Sequence, residues 1–497
     1  MRPHIGIFLA VVAAPITLAA PAPAPVPGPS PKPQDSTYPA SCPASGVGDG
    51  VSHIGSLTSV IPAVLSDVAN VLTAADAVAK AIGNGTVFGT DVPVLVKKLF
   101  SAVQPTATPT SIPQAQELAA GVWGVTNPSA SPTAPANIIA NVLELVLDGF
   151  TSSDLQALLS GANPSANSAN NVNDAVPSSK AFYNTVKGDA PFSVDEETLR
   201  AAIYIPPGFT WGKKQPVVML PGTGGYGYVT YASNIGKLLA ATDYADPVYL
   251  SVPNAFTSDA QITAEYVAYA LQYFSAMTSQ KPAIVTWSQG SLDAQWAFKY
   301  WPSVRNIVTD HIAMSPDYHG TILAYILCPG FALGNDIACP PSVLQQTYQS
   351  NFVKRLRSTD GDSAYVPTTT VYSLTDEIVQ PQAGTAASGF IKDVRGVGVS
   401  NTFLQGACAG LPAGGLYTHA GVLYNPVAYA LLTDALKNDG PGSFDRVSGQ
   451  CGNIVAPGIS LSDVIQAQAL IGISLFNILT SAEKVTQEPS IMRYATY

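Results

Sequence analysis

Apolar and polar positions fall into two regimes along the chain. From 48 to 161 the apolar residues recur every three or four positions. Ile54, Leu57, Ile61, Val64, Leu65 and Val68 keep the spacing of one face of a helix. Asp91 with Pro93 opens a second helix and Ile138 to Val146 forms another. Ser153-Asp-Leu-Gln156 reads as a capping box ahead of Leu158 and Leu159. Asn, Ser and Pro then dominate 162–180, which reads as a linker. Beyond 181 short β-branched runs take over: Pro216 to Leu220, Ala283 to Val285, Ile312 to Ser315 and Thr368 to Leu374 read as buried strands. Near the end, Val464 to Ala482 carries no charge. A membrane span there would commit Gln466, Gln468, Ser474 and Asn477 to hydrocarbon, so a helix packed on protein is expected and no transmembrane anchor.

The beginning of the chain has a different pattern. Arg2 and His4 precede an apolar run from Ile5 to Ala14 and the small residues Ala19 and Ala20. Residues 1–20 therefore read as a signal peptide, too short in its apolar part to span a bilayer. Residues 21–47 form a Pro-rich linker. The expected location is secreted and extracellular, where disulfides persist. Charged residues are only 11% of the chain, with a net charge of −10, against about 25% charged in typical proteins. This balance argues against nucleic acid and suits an oil–water interface. Asn84-Gly-Thr86 is the one glycosylation sequon.

The chemistry concentrates after the strand Ala283–Val285. Thr286-Trp-Ser-Gln-Gly290 leads into Ser-Leu-Asp-Ala-Gln-Trp-Ala-Phe, a helix. Ser288 thus sits at a strand-to-helix turn with a helix N-terminus aimed at it, although Thr286 stands where a nucleophile elbow has glycine. A serine nucleophile needs a histidine base and a carboxylate behind it. In α/β-hydrolases these follow in the order Ser, acid, His. Of the five histidines, His4, His53, His311, His319 and His419, only His419 follows Asp376, just past the strand Thr368–Leu374. The triad reads as Ser288, Asp376 and His419, with Glu377 as the alternative acid. His311 opens an apolar strand and reads as structural; His319 is a candidate to line the site.

Acyl transfer also needs donors for the oxyanion. The backbone N–H of Gln289 follows the nucleophile directly. The loop Pro221-Gly-Thr-Gly-Gly225, after the strand Pro216–Leu220, offers the N–H and hydroxyl of Thr223. A plain Gly-rich turn is the bland reading of that loop. A phosphate loop is excluded, because Tyr226-Gly-Tyr228 supplies neither the lysine nor the hydroxyl such a loop requires. No cofactor and no metal are expected.

With these blocks in view, the chain resembles the Candida antarctica lipase B family of secreted fungal lipases. The matching segments are Leu220-Pro-Gly-Thr-Gly224, Thr286-Trp-Ser-Gln-Gly290, Pro316-Asp-Tyr-His-Gly-Thr321, Ser373-Leu-Thr-Asp-Glu-Ile-Val-Gln-Pro-Gln382, Thr418-His-Ala-Gly421 and Glu488-Pro-Ser-Ile-Met-Arg-Tyr-Ala495. They run in order from about 215 to 495. The resemblance implies an α/β-hydrolase fold with a mainly parallel sheet, an ester hydrolase, and the same triad. It implies Thr223 and Gln289 as the oxyanion hole, Trp287 as the floor of the alcohol side, and Asp317 and Gln346 lining the acyl side. It also implies a C-terminal helix over the acyl tunnel and a disulfide between Cys408 and Cys451 that brackets His419. Closing about 43 residues contributes roughly 3–5 kcal/mol.

Three departures stand out. Ile205 and Val248 lie where the family has a disulfide. The segment from Tyr325 to Ser342 is longer and carries Cys328 and Cys339, which pair most simply with each other and would clamp the rim. Cys42 is left over, free or lost on processing. Finally, 48–161 lies outside the resemblance, as a helical extension that is either a propeptide or cap over the entrance, or a stabilising appendage. The whole reads as a secreted, monomeric serine lipase with its catalytic domain over 181–497, acting on lipid or ester substrates. The alternatives are an esterase, transacylase or amidase on bulkier substrates, or a non-catalytic lipid-binding protein.

Overall fold

The computed structural model describes residues 65–496, apart from 84–85, 88–90, 134, 136, 176, 178–182 and 325–337. The proposed signal peptide and Pro-rich linker, Cys42, Cys328 and the Asn84 sequon lie outside the described residues. Seven strands form one sheet in the order β1-β3-β2-β4-β5-β6-β7. They are β1 (Ile203–Tyr204), β2 (Gln215–Leu220), β3 (Ala245–Leu250), β4 (Ala283–Trp287), β5 (His311–Met314), β6 (Thr368–Tyr372) and β7 (Val399–Phe403). β1 pairs antiparallel at the edge; the other neighbours are parallel, with Val218 opposite Ile284 and Val285 opposite Ile312. All four strands expected from the apolar runs are present.

Side chains alternate across a strand, so β2 feeds two cores. Val218 and Leu220 pack with helices over Ala260–Thr278 and Gly290–Tyr300, while Val217 and Met219 join a core on the other face. That second core continues without a break into the N-terminal helices. These are α1 (Val68–Gly83), α2 (Asp91–Ala102), α3 (Ile112–Val122), α4 (Ile138–Leu147) and α5 (Ser153–Ser160). α1 is amphipathic and buries Val71, Ala74, Ala75, Val78 and Ala81. α4 is apolar nearly all round, because it is enclosed between α1, α3 and the C-terminal helix.

The charge-free stretch near the C-terminus is two helices that meet at Ala469, α6 (Leu461–Gln468) and α7 (Leu470–Thr480). Together they are long and apolar enough to cross a membrane, but 78% of the apolar window is buried within the fold. α7 packs against α2, α4 and α5, with Phe476 edge-on to Phe100 at 5.8 Å. Extension and sheet therefore belong to one compact unit.

Several local expectations need correction. Of the helical stripe expected from Ile54 to Val68, residues 54–64 lie outside the described residues; Leu65 is not helical but pairs with Val103 in an isolated bridge, and α1 starts at Val68. The cap of α5 is Ser152 rather than Ser153. Its hydroxyl accepts from Leu155 N–H at 3.2 Å, and Gln156 turns to Thr151 Oγ1 instead of closing a capping box. The segment read as a linker is stitched down. Asn167 Oδ1 accepts from Val229 N–H (3.0 Å), and Asn173 Nδ2 donates to the carbonyls of Arg200 and Ile203 (2.9 and 2.8 Å). Asparagine amides satisfy backbone groups there as well as they do in a turn.

Candidate active site

β4 ends at Trp287 and the next helix starts at Gly290, so the chain reverses direction within two residues. Ser288 absorbs that turn at φ +56°, a left-handed conformation that non-glycine residues rarely adopt. Its N–H is held by Met314 O at 3.1 Å. The approach is too close for any side chain across the turn: a Cβ on Gly222 would stand 2.6 Å from Ser288 Cβ, and one on Gly290 would stand 2.6 Å from Pro221 O. Thr286, in place of the first elbow glycine, directs its hydroxyl down to Ser291 Oγ (2.8 Å) and His311 Nε2 (2.9 Å). His311 is thereby structural, fully buried, and held down to about 3 by that burial.

Asp376 follows β6 and His419 lies in the loop bracketed by the Cys408–Cys451 disulfide. His419 Nδ1 meets Asp376 Oδ2 at 2.8 Å, with both side chains buried. Asp376 Oδ1 accepts from the N–H groups of Ile378 and Val379 at 2.9 and 2.8 Å, which fixes the carboxylate plane. Glu377, the alternative acid, takes another part. Its Oε2 accepts from the backbone N–H of His419 at 2.8 Å, and Oε1 has no partner among the described residues. Burial first, and the neighbouring Asp376 charge second, push the Glu377 carboxyl up to about 8.

The backbone of His419 is secured from the other side as well. Its carbonyl accepts from Trp287 Nε1 (3.1 Å) and Ser315 Oγ (3.2 Å), and the Trp287 ring lies 4.8 Å from the imidazole. Two polar residues of the charge-free C-terminal stretch also hold the loops of this site. Gln468 Nε2 donates to Thr418 Oγ1 at 2.8 Å, beside His419, and Asn477 Nδ2 donates to Gly224 O at 2.8 Å. Sequence reasoning registered both only as misfits in a membrane; their partners lie far away in the chain.

Thr223, Gln289 and Gln346 form one hydrogen-bonded cluster. Thr223 Oγ1 donates to Gln289 Oε1 (2.5 Å), while Gln346 Nε2 donates to both Thr223 Oγ1 and Gln289 Oε1 (2.8 Å each). Beneath them Gln289 Nε2 reaches Asp293 Oδ2 at 3.3 Å, whose carboxyl is raised by complete burial.

Ser288, His419, Thr223, Trp287 and Gln346 line one cavity whose remaining wall is largely apolar, from Leu323, Val343, Ile378, Val379, Ile471, Leu475 and Ile478 among others. Asp317 stays behind that wall. It is fully buried, with Ser388 Oγ at 3.5 Å and Oδ2 unpartnered among the described residues. Burial first, and the neighbouring Asp376 charge second, raise its carboxyl well above the usual range. His319 is also set back, its N–H on Ser388 Oγ and its imidazole held down to about 4, mainly by burial.

No family model matches the chain. Lipase B of Pseudozyma antarctica is 32% identical over 312 residues, which is 62% of this chain and 86% of that protein. The chain belongs to the lipase B family. The crystal structure of Aspergillus fumigatus lipase B is 40% identical, with a TM-score of 0.72, covering 89% of this chain and 99% of that one. That share is larger than the α/β part alone could supply, so the likeness within the family extends into the N-terminal helices. The fold expected for the family, an α/β-hydrolase with a mainly parallel sheet, is the one observed.

Proposed function

We propose that this member of the lipase B family, a carboxyl-ester hydrolase, cleaves triacylglycerol-type esters through an acyl-enzyme formed on Ser288. The observation that carries the proposal is the union, in one apolar cavity, of a serine at a strained elbow and a histidine already paired with a buried carboxylate.

In this reading Ser288 Oγ attacks the ester carbonyl carbon and its proton passes to His419 Nε2. Asp376, fixed by two backbone N–H groups and bonded to Nδ1, holds the tautomer that leaves Nε2 free to accept, and stabilises the imidazolium. The carbonyl oxygen, now negative, takes the N–H groups of Gln289 and Thr223 and the Thr223 hydroxyl. That hydroxyl donates to Gln289 Oε1 at rest, so it must turn toward the oxyanion. Gln346 Nε2, also on Gln289 Oε1, keeps that oxygen satisfied when it does. Collapse expels the alcohol, protonated from Nε2. Water then repeats the sequence against the acyl-Ser288 ester and frees the acid.

The apolar wall suits aliphatic chains, at about 0.8 kcal/mol per methylene withdrawn from water. An extracellular place of work at an oil–water interface is supported by the N-terminal pattern, the low charge and the Cys408–Cys451 disulfide. The test is fluorophosphonate labelling with a p-nitrophenyl ester panel on the wild type and Ser288→Ala. Labelling at Ser288 together with loss of turnover in the variant is expected; equal turnover in both would overturn the reading.

A further inference from the structure

One lining residue of the catalytic cavity does not come from the α/β part at all. Ile138, the first residue of α4 in the N-terminal extension, lines the same cavity as Ser288 and His419. We propose that the extension is a working wall of the substrate pocket, and that Ile138 is a specificity-determining residue which limits the apolar chain the pocket admits. The proposal rests on turnover occurring in this cavity.

The position of Ile138 is built. Asn137 caps α4, its Oδ1 accepting from the N–H groups of Ile139 (3.0 Å) and Ala140 (3.3 Å), while its Nδ2 donates to Asp76 Oδ1 of α1 at 2.8 Å. Farther along, Asn141 Nδ2 donates to Val122 O at the end of α3. The N-terminal turn that presents Ile138 is thus tied to two other helices of the extension. Ile138 faces a cavity to which α7 contributes Ile471, Ser474, Leu475 and Ile478. α7 in turn lies on α2, α4 and α5, close enough that a Cβ on Gly472 would meet Leu155 and Val142 at 3.5 and 3.8 Å. The extension therefore acts on the pocket twice, through Ile138 directly and through the helix it backs. An appendage that only stabilised the fold would have no residue in the cavity.

Deleting the extension would bare the apolar face of α7, so point variants are the proper test, in the full chain. kcat/KM is measured for two ester series, one varying the acyl chain and one varying the alcohol, for wild type, Ile138→Ala, Ile138→Phe and Leu143→Ala. Leu143 is an isomeric side chain on the same helix, fully buried and outside the cavity lining. In at least one series Ile138→Ala should raise the ratio of long to short substrates by about four-fold per methylene newly accommodated, and Ile138→Phe should lower it. Leu143→Ala should lower the melting temperature and leave both ratios alone. Ratios unmoved in both Ile138 variants, with Ser288→Ala inactive, overturn the wall and leave the catalytic reading intact. Turnover that survives Ser288→Ala puts hydrolysis elsewhere and overturns both.

Discussion

The cavity has a floor and a roof made by different physics. The floor consists of loops at the C-terminal ends of parallel strands, where Ser288, Asp376 and His419 are held by backbone hydrogen bonds, a left-handed residue and glycines too crowded for a side chain. The roof is α4 and α7, helices held by apolar burial and a few asparagine amides. The floor is over-determined, and the loss of one polar atom should disable chemistry without unfolding anything. The roof is a packing surface, where lost volume should weaken the fold or reshape the pocket and leave the chemical step standing.

Ser288→Ala should break the floor most completely. Removing a triad nucleophile typically costs about 10⁶ in kcat, while the melting temperature should hold, because alanine keeps the Cβ and the same backbone conformation at residue 288. A residual rate within a hundredfold of wild type would sink the acyl-enzyme. Thr223→Val comes next, since it keeps shape and N–H and deletes one hydroxyl. A fall of roughly 10²–10³ in kcat with KM little changed is expected for an oxyanion donor; a change confined to KM would make Thr223 an ordinary binding residue.

The same contrast decides what could be read from the chain alone. The turn at Ser288 and the Asp376–His419 pair were legible because their signals are simple: a strand, a turn and a helix around Ser288, and one acid and one histidine in the required order. Asp376 was favoured over Glu377 because it falls first after the strand, and it is Asp376 that meets the imidazole. The part Glu377 takes, on the His419 backbone, was not legible, since it depends on how a distant loop folds back. Ile138 was legible as part of a helix, but its place in the cavity depends on α7, more than three hundred positions later. Gln468 and Asn477 failed for the same reason. Smaller misses were ones of register. Ser152 and Ser153 are equally good caps in isolation, and the core contact of Leu155 selects the first. Of the rim, Cys339 is disulfide-bonded and its backbone pairs with Val485 in an isolated bridge, while Cys328, the expected other half, lies outside the described residues.

On the roof, Phe100→Ala removes the ring set against Phe476. Aromatic truncation in a packed core costs about 3–5 kcal/mol, so the urea midpoint should drop sharply, while kcat on a short ester at low temperature stays within a few-fold. A kcat loss as large as that of Thr223→Val would mean that roof and floor are one mechanical unit.

The last contrast separates the two regions by pH. Glu377 lies in the floor, buried beside Asp376, and its carboxyl is pushed from 4.5 up to about 8. Between those values the folded protein holds a proton that the unfolded chain has released. Stability therefore falls as pH rises through that window, by up to about 1.4 kcal/mol per pH unit for this one group. Glu377→Gln deletes the titration and keeps an oxygen for the His419 N–H. Urea midpoints for the two proteins should nearly coincide at about pH 4.5 and diverge toward about pH 8, with the variant the more stable there. Parallel curves over that range would mean that Glu377 ionises as an exposed carboxyl does, and that water reaches the back of the floor.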